Sequence, residues 1–194
     1  MTTLTYADLW RPTLRRHALL YDLALVLAGS LLIALSAQVA IKLPFSPVPI
    51  TGQTLAVLLV AALLGSRRGA AAVLTYLAEG ALGLPVFAGG AAGLARLVGP
   101  TGGYLVGFVV AAYLVGLLAE RGWDRRPATT VAAMALGNLV IYALGVLWLA
   151  RFVGGLGQAV QLGVLPFIPG DLLKIALAAV LLPAGWRLLG RRRA

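Results

Sequence analysis

The sequence contains no cysteine, a single histidine (His17), and six acidic residues among 194. Without cysteine there is no disulfide framework, no thiol nucleophile and no thiolate metal site. His17 sits among arginines at the start of the first apolar run, so histidine metal ligation and Ser–His catalysis are not expected. No GxxxxGK[ST] phosphate loop occurs, so the chain is not expected to hydrolyse ATP itself. The Gly-rich stretch 89–93 is not a dinucleotide fingerprint, because no strand–turn–helix pattern surrounds it. Asp22 and Asp171 are expected near opposite faces of a membrane, which excludes an aspartyl pair sharing a proton. Charge of any kind is scarce at 11%, against roughly 25% in soluble domains.

What fills the chain instead is apolar sequence, 61% of it, in long runs. A membrane span needs roughly 20 apolar residues, and spans are expected at about 18–41, 49–65, 69–87, 101–119, 128–150 and 171–189. The second and third are short and joined by the tight turn Gly65-Ser66-Arg67-Arg68-Gly69. The first run is too long for a signal-peptide core and has no small-residue cleavage site after it. The fold class is therefore an all-α integral membrane bundle of six transmembrane helices. It divides into a cytoplasmic N-terminal segment 1–17, a membrane domain 18–189 and a basic cytoplasmic tail 190–194.

The net charge of +10 does not point to nucleic acid, because the cations lie between apolar runs and not on one polar face. With the N-terminus inside, the inner segments hold Arg11, Arg15, Arg16, Arg67, Arg68, Arg121, Arg125, Arg126, Arg187, Arg191, Arg192 and Arg193, 12 of the 16 Lys and Arg residues. Only Lys42, Arg96, Arg151 and Lys174 fall outside. This bias is the orientation signal of a multi-pass membrane protein with both termini cytoplasmic.

The outer connections, 42–50, 84–100 and 151–170, hold Pro44, Pro47, Pro49, Pro85, Pro100, Pro166 and Pro169. Irregular backbone at membrane depth is tolerated where it is buried or lines a cavity, so the outer half is expected to form a pocket. Gly99, Gly103 and Gly107 are spaced by four, as are Ala24 and Ala28, a spacing that lets helices approach closely. Ionisable groups at membrane depth are expensive and mark function by default. Asp171 and Lys174 begin the sixth span on one helix face, either as a functional pair or as an N-cap with a snorkelling lysine. Glu79 is expected near mid-membrane, protonated, paired with a cation or facing water. Gln38, Gln53, Asn138 and Tyr142 add hydrogen-bonding groups, and Arg96 is the cation of the Gly-rich outer loop. Such a set suits a small polar organic ligand carrying a carboxylate.

Four segments stand in register: Pro47-Val48-Pro49-Ile50-Thr51-Gly52-Gln53-Thr54, Gly83-Leu84-Pro85-Val86-Phe87-Ala88-Gly89-Gly90, Gly99-Pro100-Thr101-Gly102-Gly103-Tyr104, and Gly163-Val164-Leu165-Pro166-Phe167-Ile168-Pro169-Gly170-Asp171-Leu172-Leu173-Lys174. In order and spacing they resemble the BioY family, the biotin-binding component of energy-coupling-factor (ECF) transporters, over about residues 20–185. The resemblance implies a six-helix ECF S-component-like bundle with a biotin pocket near the outer face. It implies biotin as transported ligand with no cofactor, and partnership with a transmembrane coupling protein (T component) and ABC ATPase subunits.

Carried over residue by residue, the resemblance makes Asp171 an acceptor for the ureido N–H groups of biotin and Lys174 a donor to a ligand oxygen. Arg96 meets the valerate carboxylate. Gly102, Gly103 and Tyr104 line the pocket, Phe87 covers the thiophane ring, and Gln53, Asn138 and Tyr142 are further pocket residues. Ala24 and Ala28 become the contact with the coupling protein. Position 52 is glycine where a larger apolar residue is expected. Two other readings remain open at this point. One is a self-sufficient secondary transporter, proton-coupled through Glu79, although no clear inverted repeat is visible. The other is an intramembrane enzyme, for which no catalytic dyad or metal-binding carboxylate cluster is found.

Overall fold

A computed structural model describes residues 4–191. Among them the chain forms helices α1 (Arg15–Gln38), α2 (Gln53–Leu64), α3 (Ser66–Ala81), α4 (Ala95–Val98), α5 (Gly102–Ala119), α6 (Pro127–Val153), α7 (Leu156–Gly163) and α8 (Ile168–Arg191). A two-residue ladder, β1 (Ala40–Ile41) against β2 (Ile50–Thr51), closes the first outer connection. Each of the six expected segments falls on a helix, and α4 and α7 are short additions within the outer connections. Arg192 and Arg193, counted above with the inner cations, lie outside the described residues, as does most of the basic tail 190–194.

Four helices, α1, α5, α6 and residues 168–189 of α8, are long and apolar enough to cross a membrane. At 1.5 Å per residue α2 extends only about 18 Å and α3 about 24 Å, shorter than the hydropathy suggests. The reasons are local. β2 and Pro49 hold the chain extended until Gln53, where α2 begins. At the far end of α3, Gly83 takes φ +101°, a conformation that favours glycine, and Pro85 follows. The apolar run continues, but Phe87 folds back onto α3. A Cβ at Gly80 would lie 2.2 Å from the Phe87 ring, so glycine there is what lets the ring dock.

The tight turn at Gly65 forms as expected, with Gly65 at φ +86° between α2 and α3. The four-residue spacing on α5 serves helix contact at two of its three positions. A Cβ at Gly103 would stand 2.3 Å from Trp148 Cβ, and one at Gly107 would stand 3.0 Å from Ile141 Cα. Alpha-carbon surfaces of α5 and α6 therefore meet directly, the close approach that small residues permit. Gly99 instead caps α4.

Polar latches gather at one end of the bundle. Arg68 pairs with Asp8 and, at 3.2 Å, with Asp22. Arg11 reaches Asp22 at 2.6 Å. Glu120 accepts from the Ser66 backbone N–H at 2.7 Å and its hydroxyl at 2.8 Å, and Trp186 Nε1 donates to Asp124 at 2.6 Å. The α2–α3 turn, the α5–α6 turn, the end of α8 and residues 4–14 thus share one end. The N-terminal segment is not a free tail: Thr5 and Ala7 are buried, and the Tyr6 hydroxyl donates to the Leu182 carbonyl. Burial opposes ionisation of Asp8, yet the bonds from Thr5 and Arg68 hold its carboxyl below the usual range. Burial dominates at Asp124 and pushes its carboxyl up, against the Trp186 bond and the Arg125 charge. Burial and the Asp124 charge push the Tyr6 hydroxyl up to about 12.

Candidate functional site

At the opposite end the first outer connection, α3, α5, α6 and α8 enclose a cavity of about 280 Å³. That is near the lower end of the range for small-molecule sites, roughly 300–1,000 Å³. The β1–β2 ladder delivers Thr51 to one wall, and the first turn of α2 delivers Thr54 beside it. Proline residues Pro47 and Pro49, which lack an N–H, leave this loop few ladder bonds to make, and it is fixed instead by Ser46, whose hydroxyl donates to the Leu162 carbonyl at 2.7 Å.

α8 starts at Ile168, three residues before the expected boundary, because proline at the second helical position loses no intrahelical bond. The Asp171 N–H donates to the Phe167 carbonyl at 2.9 Å. Asp171 is therefore inside the first turn and is not an N-cap. Its side chain points inward, 5% exposed. It accepts from Thr54 Oγ1 at 3.2 Å, from Lys174 Nζ at 2.9 Å and from the Tyr142 hydroxyl. A carboxylate offers about four acceptor positions, so one is left for a ligand N–H. Lys174 also donates to the Thr51 carbonyl at 2.9 Å and to Thr54 Oγ1 at 2.8 Å. An ammonium has three donors, and all three are engaged; a ligand oxygen reaching Lys174 has to displace one of these partners.

Beside this cluster Gln53 donates to the Tyr76 hydroxyl at 2.6 Å and accepts from Thr51 Oγ1 at 3.1 Å. The Tyr76 hydroxyl proton has no acceptor among the described residues, and Tyr76 lines the cavity. The walls are apolar: Phe87, Tyr104, Leu105, Phe108, Ile141 and Phe167. Phe87 meets Tyr76 edge-on at 5.5 Å between centroids. The Tyr104 hydroxyl is directed away from ligand chemistry, donating to the Gly163 carbonyl at 2.9 Å. At the solvent side stand Lys42 and Arg96, both exposed.

The structure thus brings together Asp171, Lys174, Arg96, Tyr104, Phe87, Gln53 and Tyr142. Gly102 and Gly103 do not line the cavity: Gly102 packs under the Leu97 carbonyl and Gly103 against Trp148. Asn138 lies behind Lys174, bordering a separate small void, and bonds its own helix at Met134. Glu79 does not line the cavity. It is two residues from the end of α3, accepts from Ser30 at 2.6 Å, and joins α1 to α3 away from the cavity. Gln38 ties α1 to the outer loop through the Val86 carbonyl. Sequence reasoning missed Tyr76, Thr54, Phe108 and Lys42. Tyrosine inside an apolar helix needs a partner for its hydroxyl, which is the one signal that pointed to Tyr76. Ala24 and Ala28 are exposed on the outward face of α1.

Comparison with known proteins follows the same outline. The profile described as "BioY family" matches residues 8–191. A biotin transporter BioY of Rhizobium etli is 43% identical over 169 residues, covering 82% of this chain and 90% of that protein. One of Thermotoga maritima is 45% identical over 141 residues, covering 73% and 82%. The solved structure of an S-component for biotin from an ECF-type ABC transporter superposes with a TM-score of 0.77 at 25% identity, over 90% of this chain and 95% of that one. With four membrane-length apolar helices, a family match over almost its whole length and relatives above 40% identity, the chain is a multi-pass membrane protein that belongs to the BioY family.

Proposed function

We propose that the chain captures biotin in the cavity between α3, α5, α6 and α8, as the substrate-binding subunit of an ECF-type transporter. The observation that carries this reading is the cavity's polarity. Its buried end holds a carboxylate with one free acceptor position and a tyrosine hydroxyl with a free proton; its walls are apolar; its open end is cationic. Biotin has the matching order of groups: a ureido ring that donates two N–H bonds and offers one carbonyl, an apolar thiophane ring, and a valerate carboxylate. In this pose Asp171 accepts a ureido N–H and Tyr76 donates to the ureido oxygen. Phe87 and Phe108 flank the thiophane ring, and Arg96 faces the carboxylate. Lys174 holds Asp171 and Thr54 in place. A site built to hydrogen-bond a buried polar group strongly rejects analogues that lack it.

In the same reading α1, α2, α3, α5, α6 and α8 form a six-helix membrane bundle, with the latched end and both termini in the cytoplasm and the cavity near the outer face. The latched end carries the arginines, in keeping with the inside bias of cations. Release is driven by a coupling protein and ABC ATPases. Ala24 and Ala28 present a small-residue strip on the outward face of α1, free of intramolecular neighbours that would occupy it, and they dock the coupling protein.

The test is equilibrium binding of biotin to the purified, detergent-solubilised chain, with desthiobiotin and thiamine alongside. One biotin per chain, selective over thiamine, supports the reading; no biotin binding by folded protein overturns it. Uptake by cells with and without the coupling protein and ATPases then tests the partnership.

A further inference from the structure

The sequence retains few cations on the side opposite the latches, and their placement is uneven. Of Lys42, Arg96, Arg151 and Lys174, three line the proposed biotin cavity; Arg151 instead lies over the Trp148 ring at 4.9 Å. Lys174 is spent on Asp171, Thr54 and Thr51. Lys42 and Arg96 have no hydrogen-bond or ion-pair partner among the described residues. All six acids are engaged elsewhere: Asp8 and Asp22 with Arg68, Glu79 with Ser30, Glu120 with Ser66, Asp124 with Trp186 and Asp171 with Lys174. The mouth therefore carries two positive charges with no neutralising partner among the described residues.

Lys42 is also held in position. It follows directly on β1, whose Ile41 pairs with Ile50, and four residues later Ser46 bonds Leu162. Its backbone is thus anchored on both sides, while its side chain can swing over the opening. Its ammonium is a compact, hydrated point charge on a flexible stem, which attracts an approaching anion without fixing its orientation.

We propose that Lys42 is a specificity-determining residue: with Arg96 it forms a two-cation mouth that selects ligands ending in a free carboxylate and draws them in. This rests on the reading of the cavity as a biotin site. Charges at the rim of a site act mainly on association rate and its salt dependence, and exposed pairs contribute modestly to affinity.

The experiment compares association kinetics of biotin and its neutral amide, biotinamide, with wild-type chain, Lys42→Gln and Lys42→Arg, at two ionic strengths. The expected result is that Lys42→Gln slows biotin association about fivefold at low salt, less at high salt, with little change for biotinamide, and that Lys42→Arg restores the rate. Equal loss for both ligands means Lys42 shapes the loop and overturns the proposal. So does an unchanged biotin rate. In either of these cases, tight biotin binding by the wild-type chain leaves the biotin reading standing; absence of biotin binding by folded wild-type chain removes both.

Discussion

Asp171→Ala tests the heart of the site. The wild-type carboxylate is 5% exposed and receives Thr54, Lys174 and Tyr142. The substitution removes the acceptor for a ligand N–H and strips Lys174, whose side chain is 17% exposed, of its counter-charge. Leaving a buried hydrogen-bonded charge without its partner typically weakens binding by about 2–5 kcal/mol, which at about 1.4 kcal/mol per decade is roughly 30-fold to several-thousand-fold in Kd. Asp171→Asn keeps one acceptor oxygen and the volume, so its loss falls at or below the lower end of that range. Titration calorimetry in detergent reads both, with a thermal melt to establish that each variant is folded. Desthiobiotin, which keeps the ureido ring but lacks the sulfur, loses affinity in parallel with biotin. A folded Asp171→Ala chain that binds biotin as tightly as wild type refutes the assignment.

Ala24→Trp is expected to leave biotin affinity unchanged, because position 24 is exposed, and to abolish co-purification with the coupling protein; normal assembly moves the interface elsewhere. Gly80→Ala forces the Phe87 ring away from α3, and overpacking of this kind costs about 1–3 kcal/mol, read as a lower melting temperature with weaker biotin binding. Asp124→Asn gives a pH-dependent effect of known sign. The folded carboxyl has a raised pKa, so the folded state binds the proton more tightly than the unfolded chain, and the buried charge lowers stability as pH rises from the unfolded value, roughly 4. Asn can still accept from Trp186 without carrying charge. Its Tm advantage over wild type is therefore expected near neutral pH and disappears below roughly pH 4; an advantage that grows on acidification contradicts this.

The helices were legible because their signal is long and redundant: six apolar runs separated by arginines. Helix ends were less so, since hydropathy does not register where backbone geometry intervenes. Leu82, Leu84, Val86 and Phe87 read as a continuing span, yet Gly83 and Pro85 break the helix and Phe87 becomes a wall of the cavity. The same break leaves Glu79 two residues from the end of α3, where the continuing apolar run placed it inside a longer span. Of the residues lining the cavity, the motifs named Asp171, Lys174, Gln53, Phe87 and Tyr104, and the search for polar groups added Tyr142 and Arg96. Motif register could not separate glycines that line a pocket from those that admit a neighbouring helix: Gly102 and Gly103 are of the second kind. Nor could it find Tyr76 or Lys42, because what distinguishes them is a hydroxyl proton and a charge left without partners, and partnership exists only in three dimensions.

That distinction separates the two ends of the molecule. At the latched end four acids and bases of the N-terminal segment, α1 and α3 satisfy one another, Asp22 with Arg11 and Arg68 and Asp8 with Arg68, and Glu120 accepts from Ser66. Arg11 and Arg68 were visible in the sequence as orientation charges, and the fold pairs them with acids that fasten helix ends. At the cavity end the network is complete around Lys174 and incomplete at three places, the fourth acceptor position of Asp171, the Tyr76 hydroxyl and the two mouth cations. Polar groups held rigidly with unused bonding capacity lose little further conformational entropy when a ligand arrives. Tight capture therefore depends on Thr51, Thr54, Gln53 and Tyr142 as much as on the groups that touch the ligand. Tyr142→Phe separates the two contributions. It leaves every proposed ligand contact in place and removes only a donor to Asp171, so any loss of biotin affinity it causes, measured against an unchanged melting temperature, is the part due to positioning.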